Sequence, residues 1–108
     1  MSPSSIGSLR DRVVLESASR ASDGGGGATV TWGQVAELWA SIRPVSGEER
    51  VRADGVAGRV THKVLIRHRA GVVPAMRFRS GDRVLEIVAV LDAGRRSRLA
   101  CLCEERFL

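Results

Sequence analysis

Cys101 and Cys103, in "RLACLCEE", are the side chains best suited to metal or thiol chemistry, and a spacing of two puts both sulfurs on one face of a strand. A zinc site needs two more ligands, and the remaining soft candidates are His62 and His68. Those two lie six residues apart, roughly 20 Å along an extended strand, too far to act together. Free cysteine in an apolar strand is ordinarily a small buried hydrophobe, which is the role expected of both. The carboxylates fall in turns or beside arginines, as in "RDR", "GEER" and "GDR", where ion pairing is their ordinary use. The glycine run in "SDGGGGAT" lacks the Gly-Lys-Ser/Thr ending that grips phosphate. With no nucleophile beside a base and no metal cluster, the chain is expected to have no catalytic residue, no metal and no cofactor.

Charge comes next. The net charge is +5, and of 17 basic residues all but Lys63 are arginine. That balance permits a polyanionic partner such as DNA. Recognition of bases by stacking fits poorly, because Trp32, Trp39, Phe78 and Phe107 are the whole aromatic complement, and Trp39 and Phe78 are expected in the core. No apolar run reaches the ~18 residues of a membrane span. "MSPSSIGSLRDR" has no apolar stretch of secretory type, so synthesis in a cytoplasm without membrane association is expected.

The rest of the sequence reads mainly as strands. A lead over residues 1–8 precedes one domain over residues 9–108, small enough that a partner is expected to supply part of its burial. "LRDRVVLESAS" alternates, with Val13 and Leu15 on one side and Arg12 and Glu16 on the other. Asp23, Gly24, Gly25, Gly26 and Gly27 then predict a flexible hairpin tip. "VTWGQVAELWASIRPV" reads as a long strand bent at Gly33, although Val35, Leu38, Trp39 and Ile42 also fit a helical stripe. Ser46 and Glu49 have capping-box spacing, predicting a short helix over residues 47–53 on an excursion after the second strand. "RVTHKVLIRHRA", "GVVPAMRFRSGD", "RVLEIVAVLD" and "RLACLCEERF" supply the remaining strands, the third of them apolar on both faces. The expectation is a small closed β-barrel or sandwich of about six strands.

Within "VLIRHRAGVVPAMRF", arginines alternate with apolar residues on both sides of Gly71 and Pro74. Gly71 can take a turn conformation and Pro74 blocks ladder pairing, so the flanking runs are expected to form a hairpin. Its polar face would present Arg67, Arg69, Arg77 and Arg79 together. Four like charges on one face repel unless acidic partners meet them, either carboxylates of neighbouring subunits or DNA phosphate.

The succession "TWGQVAELWASIRPVSGEE", "THKVLIRHRAGVVPAMRF", "DRVLEIVAVLD" and "LCEE" resembles the phage head-tail joining family, the head-closure or stopper proteins of long-tailed phages, prophages and gene transfer agents. The resemblance runs from about Leu9 to Glu105 and lies in the order of the segments. It implies a β-barrel subunit of a ring, typically of twelve, below the portal and its adaptor. Such a ring retains packaged double-stranded DNA and docks the tail or its terminator, within a virion assembled in a bacterial cytoplasm. It also implies a channel gate after the second strand, here Ser46, Gly47, Glu48, Glu49, Arg50, Arg52 and Asp54. On that reading the glycine tip is expected to order on contact with the adaptor or tail terminator. Two other readings remain open: a single-stranded nucleic-acid binding barrel, which predicts salt-sensitive binding by the monomer, and a tail-terminator-type ring subunit.

Overall fold

A computed structural model describes residues 9–22, 24–46, 59–92 and 97–107. Six strands, β1 (Asp11–Ser22), β2 (Ala28–Pro44), β3 (His62–Arg67), β4 (Arg77–Ser80), β5 (Arg83–Asp92) and β6 (Arg98–Phe107), close into an antiparallel barrel of order β1-β2-β3-β6-β5-β4. The lead over residues 1–8 and the helix expected over residues 47–53 lie outside the described residues.

Alternation decides what fills the barrel. Val13 and Leu15 of β1, Val64 and Ile66 of β3, Phe78 of β4 and Cys101 and Cys103 of β6 all point inward and are fully buried. Removing one such side chain of Phe size from a packed core costs about 3–5 kcal/mol, so this layer holds the fold together.

Two bulges adjust the pattern. In β2 the partner of Leu15 is Ala36 and the partner of Glu16 is Gln34, which leaves Val35 as the extra residue. The bend therefore sits at Val35, and Gly33, paired regularly with Ser17, is not its cause. In β5, Ile87 faces Cys103 and Ala89 faces Leu102, making Val88 the extra residue. Val88 and Ala89 consequently both point outward, where they join Leu91, Leu102, Val45 and the fully buried Val60 in a second apolar cluster. This outer cluster is why β5 is apolar on both faces.

The hairpin expected between β3 and β4 does not form. β3 pairs with β2 and β6, whereas β4 pairs with β1 and β5, so the two strands stand across the barrel from each other. Gly71 is left-handed at φ +87°, and Pro74 and Ala75, the latter at φ 78°, occupy a type II turn in which the Met76 N–H donates to the Val73 carbonyl at 3.3 Å. The turn steers the chain over to β5, where Ile87 N–H donates to the Met76 carbonyl at 2.9 Å.

β1 and β2 outrun the barrel. β1 meets β4 only at Val14 to Glu16 and β2 meets β3 only from Ala40 onward, yet the two strands pair with each other out to Ser22 and Ala28. Residues 17–22 and 28–34 thus form a two-stranded arm on a molecule of 57 × 29 × 26 Å.

Candidate functional site

The barrel and its arm position three surfaces. The first is at the base of the arm, on its outward face. Glu16 is buried to 6% exposure, and its carboxylate accepts from Arg77 Nε at 2.7 Å and from Arg79 Nε at 3.2 Å. The Arg77 guanidinium also lies 4.0 Å above the Trp32 ring. One step along the same face, Arg12 repeats the arrangement, stacked 4.8 Å over Trp39 and bonded to Glu37 at 2.8 Å. Each pairing joins charge attraction to a cation–π contact, so each guanidinium is held over an indole ring.

Two expectations are corrected at this surface. Trp39 is 52% exposed and outside the core, because the inward positions of β2 are Leu38 and Ala40 and the residue between them must face out opposite Arg12. Phe78, by contrast, is fully buried as expected. Arg77 and Arg79 do not share a face with Arg67 and Arg69, since β4 and β3 lie on opposite sides of the barrel, and they find their carboxylate within the chain.

The second surface is the barrel end where β3 and β6 meet. Arg67 is exposed and sits directly opposite Arg98, with Arg69 following in the next loop. Among the described residues no ion pair engages Arg67, Arg69 or Arg98. Like charges placed directly opposite on a sheet destabilise unless something anionic meets them.

The third is the neck of the excursion. Val45 N–H donates to the Thr61 carbonyl at 3.2 Å and Thr61 N–H donates to the Cys103 carbonyl at 2.9 Å, while Val60 is sunk in the outer cluster beside Leu102. Thr61 Oγ1 accepts from Glu105 N–H at 2.8 Å, and Glu105 holds Arg83 at 2.7 Å with His62 Nε2 at 3.5 Å. Ser46, exposed, is the last described residue before the excursion; Gly47, Glu48, Glu49, Arg50, Arg52 and Asp54 lie outside the described residues. At the arm tip Asp23 is likewise outside them, and Gly24 to Gly27 are exposed, with Gly24 and Gly26 left-handed.

The cysteines sit in the barrel interior, and burial pushes the Cys101 thiol up to about 12 and raises Cys103 well above its ordinary value. Thiols held so far from ionisation are poor nucleophiles and poor ligands. Among the described residues no group of His, Cys, Asp and Glu is arranged to hold a metal ion, and no helix is long and apolar enough to cross a membrane.

Residues 4–106 match the family described as phage head completion protein. The chain belongs to that family. Head completion proteins are structural parts of the phage head and not a class of enzyme, which makes this protein a virion component built to assemble with other head and tail proteins. Solved structures share its fold along nearly the whole length, among them the following two. One is the solution structure of protein SF1141 from Shigella flexneri 2a, with 31% identity, a TM-score of 0.74, and coverage of 94% of this chain and 96% of that one. The other is a chain of the virion of a native gene transfer agent particle, with 28% identity, a TM-score of 0.64, and coverage of 93% and 97%. No curated protein matches.

What sequence reasoning missed at the site is the Glu16 cluster. Its signal was present, since Glu16 lies on the outward side of β1 just as Arg77 and Arg79 do on β4, but only the β1–β4 pairing makes them neighbours.

Proposed function

We propose that this head completion protein is a ring-forming stopper subunit that sits below the portal and adaptor, retains packaged double-stranded DNA and offers the tail its docking platform. The observation that carries the reading is the family match over residues 4–106, combined with a barrel that clamps both roots of the 46–59 excursion. The Val45–Thr61 hydrogen bond and buried Val60 hold the chain fixed to the barrel on either side of that segment. In this reading Ser46, Gly47, Glu48, Glu49, Arg50, Arg52 and Asp54 act as the channel gate toward DNA or an adjacent subunit.

Arg67 and Arg69, with Arg98 beside them, form the basic face turned to DNA phosphate or to a neighbour's carboxylate. Arg77 and Arg79 contribute less to it, since Glu16 already offsets part of their charge. A modest positive potential suits a channel through which DNA must later leave, because phosphate contacts accumulate affinity quickly. The glycine tip at 24–27 orders against the adaptor or tail.

Deleting residues 47–57 tests the gate. Shortening a surface loop costs little stability, so the expected result is a folded protein incorporated into particles whose heads lose DNA. Full DNA retention by particles that carry the shortened protein would remove the gate from the account.

A further inference from the structure

The arm ends the sheet with two open edges. From Ala28 to Trp39 the outer side of β2 meets no strand among the described residues, and the outer side of β1 is open from Ser17 to Ser22. An edge of that length presents a row of backbone donors and acceptors ready for another strand. Proteins that need to keep such an edge alone blunt it with charge, proline or brevity. β2 does the opposite: "ATVTWGQVA", residues 28–36, contains no charged residue and no proline and is rich in strand-forming Thr, Val and Trp.

We infer that the open edge of β2 (Ala28–Gln34) pairs with the open edge of β1 (Ser17–Ser22) of a second copy of this chain, so that the arms of successive subunits form one continuous antiparallel sheet.

The occupant follows from the arm itself. Both edges belong to one ribbon, are level with each other, and run antiparallel, Ser19 facing Thr31 and Ala21 facing Thr29. When copies are related by rotation about an axis along the arm, every β1 runs one way and every β2 the other. Each β2 then meets the next β1 in the antiparallel sense without any change of register beyond tilt. The contact is heterologous, and a rotation that closes makes it a ring. The inference rests on the ring reading above for that closure; it adds which backbone makes the contact. The two faces of the arm agree with such a sheet. One face carries Ser17, Ser19, Ala21, Thr29, Thr31 and Gly33, all small, and suits a water-lined surface. The other carries Val30 and Trp32, which flank an apolar groove formed with Val73, Pro74 and Met76.

Cysteine pairing reads this geometry directly, because a disulfide forms only between Cα atoms within about 7 Å. The native cysteines are buried and do not compete. The full chain is co-expressed in the particle-producing cell in two forms of distinguishable mass, one carrying Thr31→Cys and the other carrying Ser17→Cys, Ser19→Cys or Ala21→Cys in turn, the three covering the tilt. All four positions lie on the arm's small-residue face. Purified tailed particles are then oxidised mildly and the protein is resolved under denaturing, non-reducing conditions. Mixed disulfide in excess of both homodimers, at one of the three positions, is the result expected. Tailed particles that contain both forms without mixed disulfide at any position overturn the inference and leave the head-completion reading standing. Thr31–Thr31 homodimer in equal or greater amount overturns it in favour of a two-fold contact between β2 edges. Tailed particles that lack the chain altogether remove the head-completion reading, and the inference falls with it.

Discussion

Arg77 donates from Nε to Glu16 at 2.7 Å while its guanidinium covers Trp32 at 4.0 Å, so a single side chain of β4 ties the edge of the barrel to the base of the protruding arm. Arg79 shares the same carboxylate at 3.2 Å. The arm's direction relative to the barrel is therefore set by charge and stacking as well as by the β1–β2 ladder.

Glu16→Ala should cost about 2–4 kcal/mol, since it strands two guanidiniums, one of them largely buried, without their acceptor. Glu16→Gln should cost less. Urea unfolding measures both, and equal stability of Glu16→Ala and the parent would mean that the cluster contributes nothing.

Gly71→Ala and Gly33→Ala should move stability in opposite directions. A Cβ at either position meets no atom within 4 Å, so backbone conformation alone decides. Gly71, at φ +87°, should lose about 1–2 kcal/mol on substitution. Gly33 has no left-handed backbone to protect, and alanine there should be neutral or gain up to about 1 kcal/mol. Thermal melts of the two variants compare them directly.

Stability should fall in acid partly through Glu105. Its carboxyl is held below the usual range first by the hydrogen bond from Arg83, with desolvation opposing and the charges of Arg83 and His62 adding to the lowering. A folded pKa below the unfolded one means the unfolded chain takes up the proton first. The contribution is therefore complete above the unfolded value of about 4.3 and disappears as pH drops through the folded one. Arg83→Met should remove this part of the pH dependence, so its destabilisation relative to the parent should be larger at pH 7 than at about pH 3 by urea titration.

Cys101 and Cys103 should resist thiol reagents in the native state and react together on unfolding, because both lie in the barrel interior with thiols pushed up by burial. Labelling rates with a disulfide reagent should track global opening. Rapid labelling of either thiol at neutral pH would show that the barrel opens locally along β6.

Much of the fold was legible because strand alternation depends only on neighbours in sequence. Val13 with Leu15, Val64 with Ile66 and Met76 with Phe78 all mark the inward side correctly. Trp39 was misplaced because size suggested the core, while its parity, set by Leu38 and Ala40, turns it outward. The arginine face was misplaced for a different reason. Consecutive strands usually pair, but β3 and β4 are separated by a Gly71 and Pro74 turn that carries the chain across the barrel, and no local pattern encodes the pairing of β3 with β6. The excursion's expected helix rests on capping-box spacing between Ser46 and Glu49, and of that pair the described residues include Ser46 only.

Head completion itself is tested most directly by removing the gene from the cell that produces the particles, then imaging the particles by electron microscopy and assaying the DNA in the heads. Separate tails and heads that have lost their DNA are expected. Intact tailed particles with full heads would contradict it.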